Sequence, residues 1–377
     1  MVNVEVRPAR GRAELERFAR LPWTIYADDP AWVPPLIRDV VRTFDPAHNP
    51  FFEHGHIEPL LAHRDGRVVG RIAAIRNQNH ERTWNDGCGF FGFFESIDDT
   101  DVAAALVEAA RVRCRDRGLR TMRGPVNPST NDECGVLVDG FDSPPAVLMP
   151  HSRPYYDRLL GEAGLSKAKD LLAYWLDAPP EGAPDRLRRA ADIARARNPE
   201  ITFRAFRKKD FDAEVARFKS VYNAAWEENW GFVPMTDAEI DHMAASLRQV
   251  LDPGLVRIAE HGDRTVAFAL ALPDMNQALR HANGRLFPFG LLKVLWHSRR
   301  IDAARVLVLG VVDEYRGRGL DAVLYADLYD HGASIGLRGA ELSWVLEDNH
   351  AIRKPIEGAM GARPYKTYRI YEMPIGG

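Results

Sequence analysis

The chain has 377 residues, 46% hydrophobic and 27% charged, which describes an ordinary globular protein longer than one hydrophobic core usually supports. The formal net charge of -3 lacks the basic excess that binding along a nucleic acid requires, so no nucleic-acid partner is expected. Three cysteines without zinc or disulfide spacing, and no apolar stretch long enough to span a membrane, predict a cytoplasmic protein without a metal.

The first predicted elements recur in the second half of the chain. Near the start, an aromatic segment contains Tyr26, and Trp226 occupies the matching place two hundred residues later. A β-hairpin is then predicted at 59–73 and again at 256–270, each with two apolar strands around a Gly-containing turn. The shared order and similar offset indicate an internal duplication.

Each hairpin is followed, further along the chain, by an Ala-rich helix and a closing strand. The helices end at Gly118 and Gly336, because Gly suits a helix C-terminus. The closing aromatic strands lie at 171–176 and 368–371. The duplication predicts two mixed α/β (α+β) domains, and the alternative is two unrelated ones. The predicted divisions are a first domain at 1–180, a linker with a basic helix at 181–200 and a second domain at 201–377.

The second copy contains a Gly-rich turn between a strand and a helix. The β-branched run Arg305–Val312 predicts a buried strand, and Leu320–Tyr329 predicts the helix. A Gly-rich turn at a helix N-terminus presents unpaired backbone N–H groups and the positive end of the helix dipole, which suit a pyrophosphate. Arg316 and Arg318 would add charge-assisted contacts.

This part of the chain, residues 305–371, resembles the acetyl-CoA-binding half of the GNAT superfamily of N-acetyltransferases. The resemblance lies in the loop Tyr315–Leu320, the Gly-Leu-Arg at 336–338, the segment Glu347–Ile352 and a late Gly-Ala pair at 361–362. It implies two tandem GNAT-like domains, each a central mixed twisted sheet flanked by helices, with acetyl-CoA or a longer acyl-CoA as acyl donor. The residues that it assigns to cofactor binding are Val311, Val312, Arg316, Gly317, Arg318, Gly319, Leu320, Asp321 and Asn349.

The second copy departs from the superfamily pattern in three places. Asp321 occupies the last small position of the loop, where its carboxylate would repel a pyrophosphate. The strand Arg305–Val312 contains no acid to deprotonate an amine. The position at which the superfamily usually has its catalytic Tyr lies near Pro355, where this chain has no Tyr. We therefore take Glu347 and Tyr368 as the catalytic candidates, the Tyr as acid. Further candidates for these roles are Asp348, His350, Glu227, Glu228 and Tyr365.

The first copy lacks the Gly-rich turn. Between the strand at 90–94 and the helix from Asp101, the segment Glu95–Thr100 carries three acids, so no CoA is expected there. An inserted polar loop that follows is either a surface loop or part of the acceptor site. The predicted substrate-binding residues, from this loop region and the start of the second copy, are Asn127, Tyr155, Tyr156, Glu228, Asn229 and Trp230.

The second copy has its own insertion at Gln277–Arg300. Residues Leu286–Trp296 are almost wholly apolar, and the basic run His297–Arg300 follows them. Three interpretations stay open: a cover buried against the other domain, a wall for a long acyl chain or lipid acceptor, and a peripheral membrane contact through 286–300 at the inner face of the membrane.

These features predict an N-acyltransferase that moves an acyl group from acyl-CoA to a small-molecule or lipid amine. A long acyl chain would make it similar to bacterial ceramide-forming enzymes. One alternative is a Fem-type transferase that takes its aminoacyl group from tRNA. The other is a non-catalytic ligand-binding protein with the same fold, which Asp321 and the acid-free strand favour.

Overall fold

The computed structural model describes residues 4–226 and 229–376, the side chains of 224–226 excepted. Its strands are β1 (Glu5–Pro8), β2 (Gly55–Arg64), β3 (Arg67–Asn77), β4 (Cys88–Ser96), β5 (Thr121–Gly124), β6 (Val126–Asn127), β7 (Glu133–Cys134), β8 (Val136–Asp139), β9 (Ser166–Asp177), β10 (Ile201–Ala205), β11 (Val256–His261), β12 (Arg264–Pro273), β13 (Ala303–Val311), β14 (Gly339–Leu346) and β15 (Arg363–Pro374). Its helices are α1 (Gly11–Arg20), α2 (Pro22–Ile25), α3 (Ile37–Thr43), α4 (Gln78–Trp84), α5 (Thr100–Arg115), α6 (Tyr156–Glu162), α7 (Asp185–Arg197), α8 (Phe211–Trp226), α9 (Asp237–Leu247), α10 (Asn276–Leu279), α11 (Gly290–Ser298), α12 (Leu320–Ser334) and α13 (His350–Gly358).

The chain forms two units that do not follow a single cut in the sequence. Unit 1 consists of Met1–Leu171, Ala278–Trp296 and Lys366–Gly377, and unit 2 consists of Leu172–Gln277 and His297–Tyr365. The closing strand of each half is therefore divided: β9 starts in unit 1 and ends in unit 2, and β15 does the reverse. Within the described residues, no helix has the length and apolarity needed to cross a bilayer.

In unit 1 the sheet runs β1, β2, β3, β4, β5 and then the end of β15, which also pairs with β8. The β2–β3 hairpin turns at Asp65 and Gly66, whose φ angles of 50° and 74° are those of a two-residue type I′ turn. Strands β4 and β5 pair in parallel. Helix α5 buries Leu106, Val107 and Ala110 against this sheet, which forms the core of unit 1.

In unit 2 the sheet runs β10, β11, β12, β13 and β14, and the end of β9 lies beside β14. The β11–β12 hairpin turns at Gly262, with φ of 60°, and β13 and β14 are again the parallel pair. Helices α8 and α12 cover the sheet, with Phe268, Leu320 and Leu324 in the core.

The two units repeat one order of elements, which confirms the predicted tandem α/β organisation. Strands β3 and β12 begin at Arg67 and Arg264, the two positions that correspond in the predicted hairpins. The helix-ending glycines, Gly118 and Gly336, both have positive φ, as their place after a helix requires. In each unit a hairpin, a strand, a long helix and a parallel strand follow in that order.

The segment predicted as a linker contains α7, which packs on α12. Leu187, Ala191 and Ala194 are buried there against Val323 and other apolar residues of α12. At the end of α7, the Asn198 side chain donates to the carbonyl of Arg318 at 3.2 Å. Helix α7 therefore supports the Gly-rich turn of the second copy.

The insertion 277–300 has a first part that is hydrogen-bonded to other residues of unit 1 and a second part that is exposed. Its beginning docks on the N-terminal region of unit 1: the Trp23 indole donates to Asn283 at 2.7 Å, and the Ile37 N–H donates to the Gly284 carbonyl at 3.1 Å. The following apolar residues stay exposed. They are Phe287, Phe289, Leu291, Leu292, Leu295 and Trp296.

Substitution of Gly92 should destabilise unit 1. A Cβ at this position would lie 1.8 Å from the Val126 carbonyl oxygen, so Gly92→Ala is expected to cost about 1–3 kcal/mol or more of unfolding free energy. Gly161 in α6 has no heavy atom within 4 Å of an added Cβ, so Gly161→Ala should stabilise by about 0.4–1 kcal/mol. Urea unfolding followed by circular dichroism compares the two, and equal stability of both variants would contradict the close approach at Gly92.

Candidate functional site

The parallel strands of unit 2 separate soon after they start. Pairing between β13 and β14 covers Ala303–Val306 and Gly339–Leu342, whereas β13 stays paired with β12 as far as Val311. A register shift at the β12–β13 pairing adds a bulge at the point of separation. We predicted a buried strand here, and residues 306–309 are instead half-buried because the neighbouring strand has left. The freed backbone edge can pair with an extended ligand.

The open edge of β13 continues directly into the predicted turn. After Val312, a short 3-10 helix at Asp313–Tyr315 leads to Gly317 and Gly319, whose φ angles are 74° and 80°. Gly319 is the N-cap of α12 and has no side chain that could cap the first-turn N–H groups. This is the geometry of an anion site at a helix N-terminus.

The two glycines have different surroundings. A Cβ on Gly317 would meet no heavy atom within 4 Å, whereas a Cβ on Gly319 would lie 3.0 Å from the Cβ of Ala194 in α7. Gly317 therefore borders open space where a ligand can approach the backbone. Gly319 is required for packing as well as for its positive φ.

Both arginines of the turn are exposed and held by surface contacts. Arg316 pairs with Asp313 at 2.8 Å, and Arg318 pairs with Glu200 at 3.2 Å. Arg318 also stacks on Tyr315, 4.7 Å from the ring centroid, and the Tyr315 hydroxyl lies 2.6 Å from His261 Nδ1. Exposed ion pairs of this kind are weak, so either guanidinium can exchange its carboxylate for a phosphate.

Asp321 lies in the first turn of α12, where it is half-buried. Burial, and then the charge of Asp321, raise the pKa of the Tyr325 phenol. A carboxylate in the first turn interacts favourably with the helix dipole, which gives Asp321 a structural reason for its position.

A buried polar cluster lies where β13 and β14 begin to separate. Arg305 and Glu341 are opposite each other in the parallel pair, with their charged atoms 3.6 Å apart. Arg305 Nε donates to Ser343 Oγ at 2.8 Å, and the Tyr365 hydroxyl donates to Glu341, which is fully buried. Tyr365 is among the residues predicted from the sequence, whereas Arg305 and Glu341 are not. The sequence signal is one charged residue at the third position of each of two mostly apolar strands, β13 and β14.

The predicted catalytic residues Glu347 and Tyr368 belong to different units. Glu347 is half-buried just after β14, and its carbonyl accepts from Arg353 at 2.6 Å. Asn349 caps α13 by accepting the Ile352 N–H at 3.2 Å. Tyr368 is completely buried in unit 1, on β15. Asp348 and His350 are exposed, whereas Glu227 and Glu228 lie outside the described residues.

In unit 1 the corresponding separation of strands is filled by the chain itself. Strands β4 and β5 pair only over Cys88–Phe90 and Thr121–Arg123. Beyond that point β6 lies against β4: the Phe93 N–H, at a residue with φ of 53°, donates to Asn127 Oδ1 at 2.6 Å. Asn127, predicted to bind substrate, is thus engaged with the backbone of β4.

The end of β4 carries a buried carboxylate. We predicted Glu95 in an acidic loop, but β4 extends to Ser96, and Glu95 is buried. The hydroxyls of Tyr26 and Tyr156 donate to Glu95 Oε2 at 2.9 and 2.6 Å, and Arg71 lies 3.4 Å from Oε1. Burial raises the pKa of the Glu95 carboxyl, and the Arg71 charge opposes that rise.

The other predicted substrate-binding residues are spread over two units. Tyr155 donates to the Ser96 carbonyl at 2.9 Å and is part of the same region as Glu95. Asn229 and Trp230 are half-buried in unit 2, where the Asn229 carbonyl accepts the Phe232 N–H at 3.0 Å. Unit 1 therefore gathers Asn127, Tyr155 and Tyr156 near the end of β4.

One group in unit 1 has metal-ligand atoms close together. In the described chain, potential ligand atoms of His80, Asp86 and Cys88 lie within 4.8 Å of one another. Burial raises the pKa of the Cys88 thiol to about 12. His80 Nε2 and Asp86 are bonded at 3.1 Å, which explains the group as a buried hydrogen-bond cluster.

Comparison with known proteins decides the family. No family model matches the sequence. The chain is 34% identical over 376 residues to Protein YghO of Escherichia coli (strain K12), covering 98% of this chain and 95% of that protein. It is 37% identical over 383 residues to Bacterial ceramide synthase of Caulobacter vibrioides (strain NA1000 / CB15N), covering 99% and 98%.

Solved structures give the fold. A tandem GNAT protein from the clavulanic acid biosynthesis pathway superposes with a TM-score of 0.60, over 100% of this chain and 99% of that one, at 15% identity. The chain has the tandem GNAT fold, and it belongs to one family with the two relatives. A GCN5-related N-acetyltransferase from Sphaerobacter thermophilus also superposes on this chain, with a TM-score of 0.54 at 16% identity, over 99% of this chain and 96% of that one.

We expect Tyr156 to have a structural role in this protein. Tyr156→Phe removes a hydrogen bond to a buried carboxylate and is expected to lower the unfolding free energy by about 1.5–3 kcal/mol. Tyr155→Phe loses only a bond to a carbonyl and should cost about 0.5–1.5 kcal/mol. Urea denaturation measures both. A Tyr156→Phe variant as stable as the unaltered protein would show that Glu95 does not depend on this hydroxyl.

Proposed function

We propose that this protein is an N-acyltransferase that takes its acyl group from acyl-CoA and binds the thioester in unit 2. The observation that carries the proposal is the path from the open edge of β13 into the two-glycine turn at the start of α12. Pantetheine is an extended chain with two amides, which fits an open strand edge, and a pyrophosphate fits the helix N-terminus.

Each part of the donor has residues to hold it. The backbone of Val311 and Val312 would pair with the pantetheine arm, and the N–H groups of the turn Gly317–Leu320 would hold the pyrophosphate. Arg316 and Arg318 would exchange their surface carboxylates for phosphate oxygens. Because Gly317 has open space beside it, the phosphates can reach the backbone there.

The reaction needs one base. The amine nitrogen attacks the thioester carbonyl carbon, a C–N bond forms, and the C–S bond breaks. Backbone N–H groups of β13 would stabilise the negative charge on the carbonyl oxygen. Glu347, half-buried after β14, would take the amine proton and return it to the CoA thiolate. Tyr368 has no role in this proposal because its side chain is wholly buried.

The relative in Caulobacter vibrioides supports a lipid acceptor and a long acyl chain. That protein is named Bacterial ceramide synthase, and its match covers 99% of this chain. Ceramides are long-chain amines acylated on nitrogen, so an enzyme of this kind joins two apolar chains. We therefore propose a long-chain acyl-CoA as donor and a lipid amine as acceptor.

An exposed apolar segment of unit 1 suits a lipid substrate. Phe287 and Leu292 are 86% and 63% exposed, and four more large apolar side chains between 289 and 296 are also exposed. Arg285 and Lys293 are exposed in the same segment. An apolar surface of this size next to basic side chains fits the interface of an anionic membrane. We propose that this segment holds the protein at the membrane, where a lipid amine would be found.

The donor site is tested by a charge placed in the turn. Gly317→Asp puts a carboxylate beside the proposed pyrophosphate, whereas Gly317→Asn has the same shape without charge, and both residues tolerate positive φ. We expect Gly317→Asp to weaken acetyl-CoA and palmitoyl-CoA binding at least about tenfold relative to Gly317→Asn, which is about 1.4 kcal/mol. Isothermal titration measures the affinities. Absence of binding of both thioesters to the unaltered protein would end the proposal.

The membrane contact is tested with vesicles. The double variant Phe287→Asp, Leu292→Asp should lower co-sedimentation with phosphatidylglycerol-containing vesicles at least about tenfold, since two exposed apolar groups that would enter the bilayer are lost. Ile193→Asp on α7 is the control, because Ile193 is also exposed, at 52%, but stands outside this segment. Equal sedimentation of the two variants would place the membrane contact elsewhere. If the unaltered protein does not sediment with the vesicles, the membrane contact is excluded.

A further inference from the structure

The buried polar cluster between β13 and β14 lies at the end of their pairing. Arg305 and Glu341 form the last pair but one of the parallel register, and Ser343 is the first residue of β14 beyond it. On the other side of β13, the register with β12 skips Leu307, which is the extra residue of a bulge. The cluster and the bulge together mark the point at which the open edge of β13 begins.

The contacts of this cluster run from β13 to the part of β14 that has left it. Arg305 Nε donates to Ser343 Oγ at 2.8 Å, and Arg305 Nη2 donates to the Ser343 carbonyl at 3.3 Å. The Ser343 hydroxyl donates in turn to one carboxylate oxygen of Glu341, whose other oxygen accepts from the Tyr365 hydroxyl. Ser343 therefore joins the two charges of the last paired residues to the first residue that is no longer paired.

Stability alone gives no reason for an ion pair between two mostly apolar strands. Arg305 and Glu341 are 6% and 0% exposed, and their charged atoms are 3.6 Å apart. Removing two charges from water costs about as much free energy as their attraction returns, so apolar residues of similar volume would serve stability equally well. The best-attested role of a buried polar pair is to fix one register or geometry.

The matching place in unit 1 carries a different pair. Ile75 and Leu272 are each the ninth residue of the second hairpin strand, and they are directly opposite Phe90 of β4 and Arg305 of β13. Phe90 is opposite Arg123 in the parallel pair, so an aromatic ring stands where unit 2 has Arg305. The opening of unit 1 is filled by β6. The ion pair is therefore found beside the opening that must keep its shape without a protein strand in it.

We propose that Arg305, Ser343 and Glu341 are positioning residues that hold the end of the β13–β14 pairing and so fix the open edge on which the acyl thioester binds. The inference rests on the proposed acyl-CoA donor site and adds the residues that pre-organise it. The end of a strand pairing opens easily unless side chains tie it. With the tie in place, the edge from Leu307 to Val311 has one geometry before the ligand arrives, and less ordering free energy is lost on binding.

The first test is amide hydrogen exchange of the free full-length protein, followed by mass spectrometry. Arg305→Lys keeps a positive charge near Glu341, but an ammonium lacks the two fixed donors that reach the hydroxyl and the carbonyl of Ser343. Peptides that cover 303–306 and 339–342 should exchange at least about tenfold faster than in the unaltered protein, because these pairs are no longer tied. Strands β11 and β12 should stay protected.

Arg204→Lys is the matched control. The Arg204 side chain is also largely buried in unit 2, where it pairs with Glu214 at 3.0 Å and donates to the Ala205 carbonyl at 3.1 Å. It lies on β10, three strands away from β13. This substitution should leave exchange in β13 and β14 unchanged. Equal exchange of these strands in the unaltered protein and in Arg305→Lys would overturn the proposal.

The second test is isothermal titration with acetyl-CoA. Arg305→Lys and Ser343→Ala should bind at least about fivefold more weakly than the unaltered protein, and Arg204→Lys should bind equally well. Ser343→Ala keeps the ion pair and removes only the hydroxyl between the charges, so it decides the matter if Arg305→Lys does not fold. Faster exchange in these variants together with unchanged affinity would reject the positioning role.

Failure of this inference is distinguishable from failure of the proposed function. If the unaltered protein binds acetyl-CoA and the Arg305 and Ser343 variants bind it equally well, the donor site stands and the positioning role is rejected. If the unaltered protein binds no acetyl-CoA, the proposed donor site fails and the positioning role fails with it, whatever the exchange rates show.

Discussion

The separation of two parallel strands is the constraint on which the rest of this structure depends. Backbone N–H and C=O groups that leave a sheet need new partners, because an unpaired buried polar group is costly. In each unit the parallel pair holds for only a few residues and then opens. What fills the opening decides what the unit can do.

The opening between the parallel strands is different in the two units. In unit 1 the strand β6 enters the opening, and Asn127 accepts the N–H of Phe93, so the chain is its own ligand there. The loop after β4 carries acids, and the buried Glu95 at the end of β4 contacts Arg71 and two tyrosines. In unit 2 the turn after β13 carries Gly317 and Gly319 and leads to an uncapped helix N-terminus. Duplication thus produced one half that is closed by protein and one whose opening suits a ligand.

Local chemistry made much of this fold predictable from the sequence. The hairpins follow from Gly-containing turns, and the helix ends follow from Gly118 and Gly336, because each signal lies within a few residues of the structure that it specifies. The Gly-rich turn was located for the same reason. The pairing of Glu341 with Arg305 and Tyr365, and the filling of the first opening by β6, depend on contacts distant in sequence. The exposure of Phe287 and Leu292 could not be predicted either, since an apolar run is compatible with burial as well as with a free surface.

The division of β9 and β15 affects how the chain can be made. Residues 371–374 pair with β5 in unit 1, although they follow both segments of unit 2 in the sequence. During synthesis the first half therefore has an open sheet edge until the second half has been made, and such edges promote aggregation. A gene split at the Pro-rich junction near 179–184 would encode two fragments that each lack a strand. Each half therefore completes its sheet with a strand segment that the other half of the gene encodes.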